Sequence, residues 1–292
     1  MKRIALKIDV GTYQGTRTGA PALAELLQRH GAQASFFFAL GPDQGGREAR
    51  AGSLKSYHGL ASRLYGCLLP APDIGARCRD VLRAIGDAGF ETGIHAWNRV
   101  RWERCILDSA NELAESELYS ACRRFEDVFG TTPKAHAAAG WRASRHALRL
   151  EQRKGFLYAS DCRGSHPFFP VVQGEPIACL QIPTTLPTLD ELLALEPGLT
   201  PDRAMDRLLQ LSRAIPGDHV FTLRAELEGM KFLGPFEKLL AGWQSNGCSL
   251  VALRDIHASL DAQKLPKCVV DFAAFAGRAG IRMAQGDAFP NP

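Results

Sequence analysis

The chain has 292 residues, 46% of them hydrophobic and 23% charged, values of an ordinary globular protein and far from those of disordered or membrane chains. Its 35 lysines and arginines exceed its 31 aspartates and glutamates by only four, spread along the sequence, which is too weak a surplus to argue for a nucleic-acid partner. No run approaches the roughly 18 apolar residues of a membrane span, and the N-terminal MKRIALKIDV turns charged again at Lys7 and Asp9, so a cytosolic or membrane-peripheral protein is expected.

Short apolar runs alternate with longer helical patterns, the signature of βα units that build a parallel sheet or barrel. In chain order, strands are expected at 3–8, 34–40, 91–95, 134–138, 155–160, 177–182, 219–223 and 249–253. Helical patterns fall between them at 20–29, 45–65, 74–88, 110–129, 144–151, 201–214 and 234–245. Pro201 suits a first helical turn, and Gly31 and Gly89 suit C-terminal caps. An α/β barrel of this length forms one domain, so residues 1–261 are read as the barrel. Beyond them the alternation stops, and 262–292 are read as a C-terminal extension with one short helix. The eight cysteines form no C-x-x-C pair and are expected as free thiols.

Polar residues gather where the apolar runs end: Asp9 after the first, His95 after the third, Asp161 after the fifth, Arg224 and Glu226 after the seventh. In a parallel barrel such positions converge on one face, where catalytic groups sit. Each also has a plainer reading. Asp9 could cap a loop, His95 could be a hydrogen-bonded core histidine, and Asp161 could orient Arg163 or Arg142. The basic residues Arg47, Arg50, Lys55 and Arg63 fit either a solvated helix face or a peripheral membrane contact.

Seven ordered segments carry a resemblance to a known family: IDVGTYQGTRTGAP at 8–21, ASFFFALGPDQGG at 34–46, GIHAW at 93–97, AAAGWRA at 137–143, YASDCRG at 158–164, QIPTTLPTLDE at 181–191 and FTLRAELEG at 221–229. Through them the chain resembles the polysaccharide-deacetylase (NodB-homology) superfamily and, within it, the deformylase that unmasks 4-deoxy-4-formamido-L-arabinose on undecaprenyl phosphate in lipid A modification. The resemblance implies a deformed (β/α) barrel of about seven strands. It further implies hydrolysis of an N-formyl or N-acetyl amide on a sugar, with a divalent metal (zinc, cobalt or manganese) activating the water. The partner would be a lipid-linked sugar phosphate, met at the cytosolic face of the inner membrane. Candidate catalytic residues are then Asp9, Asp161, Arg142 and Glu226, and candidate pocket residues are His95, Trp97, Arg99, Trp141 and Arg224.

Where the family carries metal ligands, the sequence departs from it at two positions. Gly11 stands where relatives have a second aspartate, and Arg99 where they have the second histidine of a pair. A third departure, Arg224, replaces the late histidine. Glycine has no side chain to coordinate, and arginine stays protonated and offers no lone pair. Only His95 and Asp9 remain as remnants of the metal site, and no tightly bound metal is expected. Two readings therefore stand side by side: an amide hydrolase with weak or no metal use, and an inactive relative that binds a similar sugar phosphate or a partner protein.

Overall fold

The computed structural model describes residues 1–47, 62–108 and 111–290. Eight strands form one sheet: β1 (Arg3–Val10), β2 (Ser35–Ala39), β3 (Glu91–Ala96), β4 (Ala135–His136), β5 (Tyr158–Ala159), β8 (Leu180–Gln181), β9 (His219–Arg224) and β10 (Ser249–Val251). Every pairing in it is parallel. β1 is the hub. It pairs with β9 through Ile4 to Asp9, with β2 through Lys7 to Val10 and with β10 through Arg3 to Ala5. Seven of its eight residues are buried, because a central parallel strand is covered on both faces.

The sheet curls until its far strand, β8, approaches β9. There the loop after β8 stands in for a ladder: the Thr185 N–H donates to the Val220 carbonyl at 3.1 Å, and the hydroxyls of Thr184 and Thr222 meet at 2.7 Å. The result is a deformed (β/α) barrel. Its strands lie close to the expected positions, but β4, β5 and β8 are only two residues long. After β4 the backbone leaves the sheet for a 3-10 turn at Ala139–Trp141, which is why the run at 134–138 does not stay extended.

Helices α1 (Ala20–Arg29), α2 (Ile74–Arg77), α3 (Arg79–Asp87), α5 (Asn111–Phe129), α6 (Arg145–Lys154), α8 (Pro201–Ala214) and α9 (Leu233–Ser245) follow the expected patterns. Three more, α4 (Arg99–Cys105), α7 (Leu189–Leu195) and α10 (Leu253–Ala258), were not expected, being too short for a helical period to register. The helical pattern at 45–65 begins with a 3-10 turn at Gly45–Arg47, and its remainder lies largely outside the described residues, Arg50 and Lys55 included. No helix among the described residues is long and apolar enough to cross a membrane.

The C-terminal segment corrects the expectation of a short helix. A single 3-10 turn at Ala262–Lys264 precedes an antiparallel hairpin. It pairs β11 (Lys267–Ala274) with β12 (Ile281–Ala288), and β11 lies parallel to β6 (Phe169–Val172), which itself forms a small hairpin with β7 (Glu175–Pro176). The tip of the larger hairpin is pressed onto the barrel. At Gly277, with φ +80°, a Cβ would stand 2.6 Å from the Glu191 carbonyl oxygen, so only glycine allows this approach.

Candidate active site at the barrel mouth

The last residues of β1, β3 and β9 and the first turn of α4 surround one cleft, lined by Asp9, Gly11, His95, Arg99, Glu103, Gly140, Trp141, Arg224 and Glu226. Its internal free volume is about 10 Å³, room for one water, because arginine side chains fill it. Asp9 and Arg224 are direct neighbours in the β1–β9 register.

Asp9 is buried, and its Oδ1 lies 3.6 Å from Lys7 Nζ and 3.8 Å from His95 Nδ1. Lys7 is wholly buried and donates to the Ser160 carbonyl at 2.9 Å. Burial lowers its pKa, while Asp9 and Asp161 pull the other way. His95 Nδ1 faces the Ala137 carbonyl at 2.7 Å, and a carbonyl only accepts, so this nitrogen carries the proton and Nε2 keeps its lone pair. Burial holds the ring's pKa down, opposed by Asp9 and reinforced by Lys7.

Asn98 caps α4 by accepting the Arg101 N–H at 3.0 Å. The helix so begun sets Arg99 and Glu103, four residues apart, on one face, where they pair at 3.0 Å. Arg99 is buried, and it lies where a side chain at position 11 would go. A Cβ on Gly11 would collide with Arg99 Cδ, standing 2.9 Å from its Nε and 3.2 Å from Glu226 Oε1. The glycine and the arginine are therefore one steric unit.

Glu226 is buried with its Oε2 accepting no hydrogen bond. Burial raises its pKa to about 7 against the pull of Arg99 and Arg224, which poises it to exchange a proton near neutrality. Arg224 sits 3.4 Å from Asp190. Burial works against its charge, but Asp190, Glu103 and Glu226 overcome that and hold its pKa above the ordinary value. Trp141 forms the wall between these groups. Its φ of 51° is unusual for a bulky residue, its Nε1–H donates to Thr184 Oγ1 at 3.0 Å, and Lys7, Arg163 and Arg278 lie 5.4, 5.2 and 4.7 Å from its ring centre.

Three of the residues expected at the site lie elsewhere. Asp161 is fully buried in a separate cluster, where it accepts the Ala138 N–H at 2.6 Å and the Gln181 amide at 2.9 Å and lies 3.1 Å from His136 Nδ1. Trp97 packs over Gly41 with the Arg124 guanidinium 5.2 Å from its ring. Arg142 reaches the rim and donates to the Glu103 carbonyl. The strand-end rule fails for Asp161 because β5 is so short that the chain turns inward at once.

Sequence reasoning passed over Lys7, Glu103 and Arg278. Lys7 had a signal, a lone charge amid the apolar run RIALKIDV. Glu103 follows from Arg99 once a helix is placed there. Arg278 had none, because it reaches Asp190 at 2.7 Å and Glu191 at 2.8 Å only by the fold of the hairpin.

The divalent metal implied by the resemblance does not fit these residues. The cleft holds Asp9, His95, Glu103 and Glu226, but among the described residues no three of these bring ligand atoms together as a catalytic zinc with three protein ligands requires. Around them stand Lys7, Arg99 and Arg224, three cations that a metal would have to displace. Among the described residues, three metal-type ligands come together at His136, Glu151 and Asp161, all fully buried. There the His136 Nδ1–H lies 2.9 Å from Glu151 and 3.1 Å from Asp161, so hydrogen bonds already join the group.

Comparison with known proteins agrees with this architecture. The chain is 34% identical over 273 residues to a Shewanella sediminis protein assigned as the 4-deoxy-4-formamido-L-arabinose-phosphoundecaprenol deformylase ArnD, covering 89% of this chain and 88% of the relative. It is 29% identical over 280 residues to the protein so assigned in Wigglesworthia glossinidia brevipalpis, covering 91% and 96%. A polysaccharide deacetylase structure from Mycobacterium smegmatis superposes with a TM-score of 0.66 at 18% identity, over 91% of this chain and 93% of the other. A family model described as polysaccharide deacetylase matches residues 1–159, and the chain belongs to that family.

Proposed function

We propose that this chain hydrolyses the amide C–N bond of a formamido or acetamido sugar carried on a polyprenyl phosphate, the reaction class of the deformylases it matches along most of its length. The observation that carries the reading is the cleft itself, in which Glu226, with its pKa near 7, lies between two arginines at the carboxyl ends of the strands. Glu226 takes a proton from a water as its oxygen attacks the formyl carbon. Arg99 and Arg224 hold the negative charge that develops on the carbonyl oxygen. Collapse breaks the C–N bond, the proton returns to the leaving amine, and formate and the amino sugar depart. Such a substrate places the protein at the membrane face, reached by peripheral contact.

A second reading, a cleft that binds the sugar without turning it over, is favoured by the Gly11–Arg99 unit, which fills the place of a metal ligand. Formate release from lipid-linked 4-formamido-arabinose, measured with and without a chelator, separates the two. Under the first reading the chain turns over in chelator, and Glu226→Gln lowers kcat by roughly 10²–10⁴-fold. Under the second it releases no formate, and the triple variant Gly11→Asp, Arg99→His, Arg224→His gains turnover with added zinc or cobalt. Gly11→Asp is combined with Arg99→His, because the arginine side chain would have to shift to admit the aspartate. A folded triple variant that binds metal but no formamido sugar would end both readings.

A further inference from the structure

The hairpin tip brings a second set of charges to the rim of the cleft. Arg282 of β12 and Arg142 flank Gly280, where an added Cβ would stand 3.5 Å from Arg282 Nη1 and 3.8 Å from Arg142 Nη2. The acids around them are engaged: Glu103 pairs with Arg99, Glu191 with Arg163 and Arg278, and Asp190 with Arg224 and Arg278. Among the described residues neither Arg142 nor Arg282 has a carboxylate within ion-pair distance. Arg282 Nη1 donates to the carbonyl of its own neighbour Ile281, and Arg142 Nη1 to that of Glu103. The Nε of each is buried and makes no hydrogen bond.

Two half-buried like charges with unmet donors are unfavourable as they stand. Burial and the nearby Arg142, Arg278 and Arg224 pull the Arg282 pKa down to about 10, with Glu103 opposing. A phosphate group would relieve both problems, since guanidinium groups grip its oxygens through paired N–H donors and its negative charge offsets part of theirs. The tetrahedrally arranged oxygens of a phosphate can face two guanidinium groups at once.

We propose that Arg142 and Arg282 form a phosphate subsite on the cleft rim, which holds the phosphate of a phosphorylated ligand. The inference rests on the reading of the cleft as a sugar site and adds the group that anchors the sugar's carrier. Arg278 is committed to Asp190 and Glu191, so it supports the tip and does not bind the anion.

The test is calorimetry on the full chain with three probes: inorganic phosphate, a short polyprenyl phosphate in neutral detergent, and methyl 4-formamido-arabinoside, which lacks phosphate. Inorganic phosphate is expected to bind, and Arg282→Gln to weaken it by about tenfold or more, the loss of a charge-assisted pair. Arg282→Lys should recover part of the affinity and serves as the second variant if the glutamine form does not fold. The same loss with polyprenyl phosphate assigns the subsite to the lipid carrier, and a loss with inorganic phosphate alone assigns it to a free phosphate. Equal affinity of wild type and Arg282→Gln for both phosphates, or no binding of either to the wild type at millimolar concentration, overturns the proposal. The arabinoside keeps the two readings apart: if it binds while phosphate does not, the subsite falls and the sugar site stands. Phosphate binding without arabinoside binding leaves the subsite and removes the sugar.

Discussion

The cleft and the His136 cluster are built from the same kinds of residue and do opposite things. In the cleft, Asp9, His95 and Glu226 are buried but face a space shared with Arg224, whose side chain is 20% exposed. In the cluster, His136, Glu151 and Asp161 have no exposure. Burial lowers the His136 pKa, yet the two carboxylates outweigh it and raise it to about 10, while burial and Asp161 raise Glu151. The cluster is thus a charged group held together by a proton, and the cleft is a charged group that keeps a small space of its own beside a partly exposed arginine. Perturbed acids and bases mark both places, so perturbation by itself does not find a functional site; access does.

The largest test of this contrast is His136→Ala, which leaves two buried carboxylates with only the more distant Lys7 as counter-charge. It should lower stability by about 3–5 kcal/mol in urea unfolding, as removal of one partner from a buried ion pair does. A loss under about 1 kcal/mol would mean that the cluster relaxes as freely as a surface group.

The next concerns Glu226. Its folded pKa of about 7 lies above the model-compound value of 4.5, so the folded state binds the proton more tightly than the unfolded. The associated stability is present below pH 4.5 and is lost as pH rises through 7. Relative to Glu226→Gln, which does not titrate, the wild type should lose on the order of 3 kcal/mol across that window in pH-dependent melts. Parallel curves for the two proteins would place Glu226 in a solvated setting and weaken its role as a base.

The smallest is a double-mutant cycle between positions 11 and 99. Gly11→Ala should cost about 1–3 kcal/mol as overpacking against Arg99, and much less in an Arg99→Ala background. Additive effects would show that the glycine and the arginine are independent, and the cleft would then have room for a ligand at position 11.

Much of this contrast was open to reading in the residues themselves. The apolar runs placed all eight barrel strands, since parallel strands buried on both faces leave a continuous hydrophobic trace. Asp9, His95, Trp141, Arg224 and Glu226 stood in recognisable segments, Arg99 two residues beyond one, and all six share one cleft. Asp161 and Trp97 stood in equally recognisable segments and do not line it. For Asp161 the difference lies in how soon the chain turns after β5, only two residues long, and for Trp97, just past β3, in the side chain packing onto Gly41; sequence alone displays neither.

Taken alone, the sequence determined the barrel, through the periodicity of its apolar runs, and the family, through its ordered segments, and it set a glycine at position 11 and an arginine at position 99. Tertiary structure alone decided that Arg99 occupies the space Gly11 leaves, that Lys7 lies buried beside Asp9, and that Arg278 reaches Asp190 and the Trp141 ring and Arg282 comes near Arg142, from some 180 positions after Arg99. These are contacts between segments remote in sequence. They are fixed by how the sheet curls and where the hairpin docks, and no local pattern carries that information.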